Sequence, residues 1–323
     1  MRVIRYGQDE LIREPGASLT LGTFDGVHLG HRDLLTSLVR GTLPTVVTFE
    51  PHPQHVLRTY PDRLLLLTST PEKLRKLEKF GVQRTVILPF TRELSTLSAD
   101  EFLRRLLIGE VGMARLVVGF NHSFGRNREG NLDFMRARSQ ELGFELVVVD
   151  ALRQGQEAIS STHIRRALST GSLRTANRFL TSPYRMQVRV IHGEGRGHDL
   201  GFPTANLIPV DPDQLIPAEG VYAVRVILED ETLHGVASIG RKETFGENPL
   251  AIEVHIFDRD PDLYNRMLDI EWIDYLREQR AFENAEGLIA EMNRDSHRAR
   301  EILEIADSQG LIPDVNDNKT KKA

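Results

Sequence analysis

Gly22-Thr23-Phe24-Asp25-Gly26-Val27-His28-Leu29-Gly30-His31 stands between an alternating apolar run, Ser18-Leu19-Thr20-Leu21, and an amphipathic stretch from Arg32 to Val39. That order predicts a first strand, its exit turn and a first helix, the building unit of an α/β fold. At such a turn glycines let the backbone approach a ligand closely, and the start of the helix offers unpaired N–H groups to an anion. His28 and His31, spaced i, i+3, fall on one side. The turn reads as a nucleotide site without a Walker loop: G-x-x-x-x-G-K-[ST] does not occur, and imidazoles stand where that loop has its lysine.

Outward from the turn, short β-branched runs alternate with helical patterns as far as about Leu180. The strand candidates are Leu19–Leu21, Thr45–Phe49, Thr85–Leu88, Leu116–Val118 and Phe144–Val149. Between them, Pro71–Phe80, Ala99–Leu107 and Leu132–Leu142 place apolar residues at helical spacing. Strands almost continuous in Val, Ile and Leu belong to a parallel sheet covered on both faces, so the first half is predicted to be doubly wound.

After Thr181-Ser182-Pro183-Tyr184 the rhythm changes. Met186–Ile191, Tyr222–Leu228, Leu233–Ile239, Ala251–Phe257 and Met267–Trp272 are separated by Gly, Pro and Asp turns with no helix between them, which predicts an antiparallel sheet or barrel. Phe282–Leu303 reads as one long amphipathic helix lying against it. The expected division is 1–181 for the α/β domain, 182–312 for the barrel with its helix, and a disordered polar tail over 313–323.

Composition narrows the function classes. A chain of 323 residues suggests two domains, and 40% hydrophobic content suffices for packed cores. A formal net charge of −5 argues against binding nucleic acid through a general basic surface, whereas a small phosphorylated ligand needs only local positive charge. Without cysteine there is no disulfide, thiolate zinc site or thiol nucleophile. The charged start, Met1–Glu10, has no apolar core of a signal peptide, and Leu64–Leu67 is too short to span a membrane. A cytoplasmic protein with no membrane partner is expected.

Three further segments belong with the turn by position. Ser161 and Thr162, in Ile159-Ser160-Ser161-Thr162-His163-Ile164-Arg165, are expected to open a helix after the last strand of the sheet, with Arg165 directed back to the same end. Thr48-Phe49-Glu50-Pro51-His52-Pro53 leaves the second predicted strand, and Val118-Gly119-Phe120-Asn121-His122-Ser123-Phe124-Gly125 leaves the fourth. Carboxyl ends of parallel strands are where such sheets bind ligands.

The string around His28 and His31 resembles the H-x-G-H signature of the nucleotidyltransferase superfamily. With the other three segments, the first 180 or so residues look like the flavin adenylyltransferase module of the bacterial bifunctional riboflavin kinase/FAD synthetase family. The resemblance implies that His28 and His31 stabilise charge developing on the α-phosphate of ATP as pyrophosphate leaves. It further implies that Gly22, Phe24, Asp25 and Asn121 help bind the nucleotide, that Ser161, Thr162 and Arg165 hold phosphate, and that the reaction joins FMN to AMP. Transition-state electrostatics of this kind needs no covalent enzyme intermediate, and one well-aimed donor is worth on the order of 3 kcal/mol.

The second half carries Gly193-Glu194-Gly195-Arg196-Gly197 followed by Phe202-Pro203-Thr204-Ala205-Asn206. This resembles the riboflavin kinase signature with its P-T-A-N core. The resemblance implies that Gly193, Gly195 and Gly197 cover phosphates and that Thr204 and Asn206 position Mg²⁺ with ATP. Oxygen donors of this type suit a hard cation that keeps waters and bridges phosphates. A kinase also needs a group to take the proton of the substrate hydroxyl. Glu253 is the candidate: alternation along Ala251–Phe257 puts it on one face with His255, opposite Ile252, Val254 and Ile256. The Asp262-Leu263-Tyr264 segment, similar to a D-L-Y segment of the family, places Glu253 where the family has its catalytic glutamate.

One departure bears on the kinase half. Ile239-Gly240-Arg241-Lys242-Glu243-Thr244 lacks the Pro-Thr pair usual after I-G, which frees the loop and adds a carboxylate able to repel substrate. His122 and Ser123 also depart from the commoner context around Asn121. The expected function is phosphorylation of riboflavin to FMN followed by adenylyl transfer to FAD, with riboflavin, FMN and ATP as ligands. Two alternatives stay open: a cytidylyltransferase acting on an alcohol phosphate, and a flavin-binding regulatory protein with a degenerate kinase half.

Overall fold

The computed structural model describes residues 1–57, 63–150, 152–154, 157–192, 201–229, 231–241, 250–259 and 261–308. Gly193, Gly195, Gly197, the Lys242–Glu243 departure and the 313–323 tail lie outside the described residues. The chain divides into two compact units, one ending at Ser160 and the other beginning at Ser161.

The first unit contains strands β1 (Arg2–Arg5), β2 (Ala17–Leu21), β3 (Thr45–Glu50), β4 (Arg84–Pro89), β5 (Met113–Gly119) and β6 (Glu145–Val149). They form one parallel sheet in the order β1-β4-β3-β2-β5-β6. Helices α1 (Leu29–Leu38), α2 (Pro53–Leu57), α3 (Thr70–Lys79), α4 (Arg92–Thr96), α5 (Ala99–Glu101, continued as a wide π-helical segment to Val111) and α6 (Leu132–Leu142) connect the strands. A short β7/β8 ladder, Arg153–Gln154 with Glu157–Ala158, ends the unit.

Double winding is visible in the two cores. Leu19, Leu21, Val86, Leu116 and Val118 pack on one face with Leu103, Leu107 and Met135. Val46 and Val117 pack on the other with Leu35, Leu38 and Leu77. Neighbouring positions on a strand point to opposite faces, so strands with apolar residues at consecutive positions need helices on both sides. The strand order reverses direction at β2, whose neighbours are β3 on one side and β5 on the other, and the crevice at such a switch point is where open α/β sheets bind ligands. Edge strand β1 has no counterpart among the sequence expectations: its Arg-Val-Ile-Arg run is only two apolar residues long, and it gains strand character by pairing with β4.

In the second unit α7 (Ser161–Ser169) and α8 (Leu173–Phe179) precede β9 (Tyr184–Ile191), β10 (Ala205–Pro209), β11 (Gly220–Ile227), β12 (Thr232–Arg241), β13 (Leu250–Ile256) and β14 (Met267–Arg277). The six strands close into an antiparallel barrel in the order β10-β13-β12-β11-β14-β9. Val188, Val224, Ile239, Val254, Ile270 and Trp272 are among its buried residues. The long helix, α9 (Ala285–Ser308), lays Ala299, Leu303 and Ala306 against Val221, Ala223, Ile273 and Leu276, as its amphipathic pattern predicts.

The α7–α8 pair packs with the barrel. The Arg174 guanidinium forks onto Asp274 with Nε donating at 2.8 and 2.9 Å. Asn177 donates to the Trp272 carbonyl at 2.8 Å and accepts from the Tyr184 amide at 2.9 Å, so one side chain ties α8 to β14 and to the start of β9.

Candidate active sites

The turn after β2 is wound through left-handed backbone at Phe24 (φ 49°), Gly26 (φ 86°) and Val27 (φ 43°). Non-glycine residues there cost on the order of 1–3 kcal/mol each and persist only when their surroundings fix them. Here the side chains of Phe24 and Val27 are buried in the core beneath α1. The Asp25 carboxylate accepts from the backbone amides of Leu67 (2.9 Å) and Thr68 (3.1 Å), and the Thr68 hydroxyl accepts from the Gly26 amide at 3.1 Å. The side chains of Phe24 and Asp25 thus brace the turn.

Helix α1 begins at Leu29, three residues earlier than its amphipathic pattern predicts, with His28 as its N-cap and His31 in its first turn. The His28 amide donates to His31 Nδ1 at 3.2 Å. That ring nitrogen is therefore an acceptor, and the ring hydrogen resides on Nε2. The two imidazoles stack with centroids 3.8 Å apart and planes at 21°. Burial, reinforced by His28, pushes the His31 imidazole well below its ordinary value, so it is a neutral Nε2–H donor at neutral pH. Gly30 is needed by this packing: a Cβ there would lie 2.9 Å from His28 Cε1 and 2.9 Å from the Ile159 carbonyl oxygen.

Adjacent at the same sheet edge, the chain leaves β5 at Gly119 and turns through exposed Asn121. This loop is anchored by Phe124, whose ring lies 5.7 Å from that of Phe102, and by the Arg126 amide, which donates to the Leu97 carbonyl at 2.8 Å. Burial, with Arg128 adding to it, lowers the His122 imidazole to about 4.

Two buried groups that pattern reading passes over lie against this turn. Lys73 and Lys76 are buried on α3. Lys73 Nζ donates to the Thr23 carbonyl at 3.2 Å and to Thr48 Oγ1 at 3.3 Å, and Lys76 Nζ donates to the Gly26 carbonyl at 3.4 Å. The available signal is their i, i+3 spacing on the helix face that also carries buried Leu77, where solvated lysines are out of place.

In the second unit Asn206 on β10 is the direct cross-strand partner of Glu253 on β13, and Ser238 on β12 is the partner of Glu253 on its other side. Ile252, Val254 and Ile256 are buried while Glu253 and His255 are half-buried, as the alternation predicts. His255 Nδ1 lies 2.9 Å from the Pro203 carbonyl oxygen, and its ring meets Phe202 edge-on at 5.2 Å, fixing the start of the Pro203–Asn206 segment. Thr204 lines a cavity with Val190, Ala205, Val254, Arg259 and Tyr264. Strand β10, which the sequence expectations treat only as a motif, brings Asn206 to the carboxylate. Gln279, also unforeseen, donates to Ser238 Oγ at 2.6 Å.

Among the described residues no group of three His, Cys, Asp or Glu side chains could hold a metal ion. No helix among them is long and apolar enough to cross a membrane.

Known proteins show the same two-part organisation. The FAD synthetase family matches residues 12–163 and the riboflavin kinase family residues 180–303. A bifunctional riboflavin kinase/FMN adenylyltransferase from Listeria monocytogenes is 38% identical over 288 residues, 87% of this chain and 91% of that protein. Its Escherichia coli K12 counterpart is 37% identical over 313 residues, 94% and 98% of the two chains. A crystal structure from Streptococcus pneumoniae, described as a macrolide-efflux protein, superposes with a TM-score of 0.83 at 30% identity, covering 93% of this chain and 99% of that one.

Proposed function

Because the chain belongs to the bifunctional riboflavin kinase/FMN adenylyltransferase family, we propose that its two activities divide between its halves. FAD formation takes place at the His28–His31 turn within residues 1–181, and riboflavin phosphorylation takes place on the β10–β13 face within residues 182–312. The observation that supports this reading is that the stacked His28–His31 pair lies in the first compact unit and the cross-strand Asn206–Glu253 pair in the second.

In adenylyl transfer an FMN phosphate oxygen bonds to the α-phosphorus of ATP, the bond from that phosphorus to the bridging oxygen breaks, and pyrophosphate leaves. Negative charge grows on the α-phosphoryl oxygens, and a fixed neutral donor such as His31 Nε2–H meets it without reorganisation. Removing one such donor costs about 10²–10³ in kcat. His28 acts beside it, and the turn from Gly22 through Phe24 and Asp25 contributes backbone. Asn121 holds the nucleotide, and Ser161, Thr162 and Arg165 hold phosphate.

In the kinase half a riboflavin hydroxyl oxygen bonds to the γ-phosphorus of ATP, its proton passes to Glu253, and ADP leaves. Gly193, Gly195 and Gly197 cover the phosphates. The Thr204 hydroxyl and Asn206 amide oxygen are hard donors beside a carboxylate, a set that fits Mg²⁺ arriving with ATP. When bound, Mg²⁺ neutralises phosphate charge. Both reactions use ATP with Mg²⁺, in the cytoplasm, with no nucleic acid or membrane as partner.

Incubating the protein with riboflavin, ATP and Mg²⁺ and separating the flavins by chromatography tests the reading. FMN should appear first and FAD after it, and the absence of both overturns the assignment. CTP in place of ATP should give no product. Tight FMN binding without turnover would favour a regulatory role. His28→Ala should stop FAD formation while sparing FMN formation, whereas Asn206→Ala and Glu253→Gln should stop FMN formation while FAD is still made from supplied FMN.

A further inference from the structure

Lys73 is a buried cation that the chemistry above leaves unused. Its ammonium is enclosed between α3 and the carboxyl ends of β2 and β3, with the charges of Asp25 and Glu50 near it. Its hydrogen bonds converge on one peptide group. Lys73 Nζ donates to the Thr23 carbonyl at 3.2 Å, and Thr48 Oγ1 donates to the same oxygen at 3.3 Å while itself accepting from Lys73 at 3.3 Å. A carbonyl oxygen has two lone pairs, so both are engaged. In a trans peptide the carbonyl and the following N–H point in opposite directions. Fixing the Thr23 carbonyl toward Lys73 therefore fixes the Phe24 N–H away from it, and among the described residues no acceptor takes that N–H. Phe24 sits in left-handed backbone, with its ring 5.0 Å from that of His31.

We propose that Lys73 is a positioning residue for adenylyl transfer, its ammonium and the Thr48 hydroxyl clamping the Thr23 carbonyl so that the Phe24 amide faces the nucleotide phosphates beside His31. The inference rests on the reading of the His28–His31 turn as the adenylyl-transfer site. Lys76, held to the Gly26 carbonyl at 3.4 Å, steadies the far side of the same turn. The lysines act through the backbone: a lysine head group reaching a phosphate directly would have to stand in the crevice, and Lys73 is instead closed off beneath the turn with its donors directed to Thr23 and Thr48.

The test compares the full-length parent with Lys73→Met and Thr48→Val, measuring FAD formation from FMN and ATP, FMN formation from riboflavin and ATP, and the thermal midpoint. For Lys73→Met, kcat for FAD formation should fall by about 10²-fold per folded molecule, the loss of one aimed donor, with KM for FMN and the kinase rate unchanged. Thr48→Val, nearly isosteric and retaining the cation, should fall by a smaller factor in the same parameter. Amide exchange in the 22–31 segment should accelerate in both variants. A purely structural lysine would lower the thermal midpoint and leave kcat per folded molecule intact, which overturns the proposal. If Lys73→Met does not fold, Thr48→Val decides: unchanged kcat and unchanged exchange refute the clamp. A parent that makes no FAD would instead refute the reading of the turn itself.

Discussion

Gly30→Ala tests the packing of the His28–His31 site at the level of single atoms. The added methyl carbon would stand 2.9 Å from His28 Cε1, 3.0 Å from His28 Nδ1 and 2.9 Å from the Ile159 carbonyl oxygen. Ordinary carbon contacts lie at about 3.5–4.0 Å, so the imidazole or the Ile159 backbone must move by roughly 0.6 Å or more. Because the ring is boxed in by His31, stacked at 3.8 Å, and by the start of α1, the displacement falls on the His28–His31 pair. Overpacking of this kind costs about 1–3 kcal/mol of stability, and misplacing a reacting group by about 1 Å costs on the order of 10² in rate. FAD formation should therefore drop by about 30- to 100-fold. FMN formation in the same sample serves as the internal control and should be unaffected, because it is assigned to the other unit. FAD formation within threefold of the parent, at an unchanged thermal midpoint, would refute the steric reasoning.

The His122 imidazole titrates at about 4 in the folded chain, against about 6.5 when unfolded. The unfolded state thus binds the proton first as pH falls, and stability is lost from about pH 6.5 down to about pH 4. His122→Asn should flatten the fall of the thermal midpoint across that window and leave it unchanged above pH 7. Asp25→Ala strands two backbone donors, Leu67 N–H and Thr68 N–H, at about 1–3 kcal/mol each. Melting curves should show the loss, FAD formation should fall with it, and Asp25→Asn, which keeps an acceptor oxygen, should restore most of it. Leu303→Ala removes a fully buried contact between α9 and the barrel. It should cost about 2–5 kcal/mol, read as a lower midpoint for the kinase unit, with FAD formation from FMN retained.

Legibility differed from element to element for physical reasons. Thr45–Phe49 and Leu116–Val118 announce buried parallel strands because a strand covered on both faces admits few polar side chains, and both runs appear within β3 and β5. Glu253 was legible as a member of one strand face because side-chain alternation is a local property. Its pairing with Asn206 depends on β10 lying beside β13, two strands separated in the chain by β11 and β12, and no local pattern carries that register. Strand β1 escaped because a four-residue edge strand takes its character from its neighbour.

The sequence alone determined that a glycine-rich turn with two histidines joins a buried strand to a helix, and that a second, barrel-like half carries a kinase signature. The turn, its flanking strand and helix, and the barrel-like rhythm follow from short-range periodicity, whereas the kinase signature is read from its resemblance to the riboflavin kinase family. The tertiary structure decided how the site is built. Asp25 reaches Leu67 and Thr68 across more than forty residues of chain, Lys73 reaches Thr23 across fifty, and Ile159 closes on Gly30 from the far end of the unit. Each of these contacts depends on how the strands are ordered around the β2 switch point, because folding brings distant segments together only where their buried faces pack on the same sheet edge.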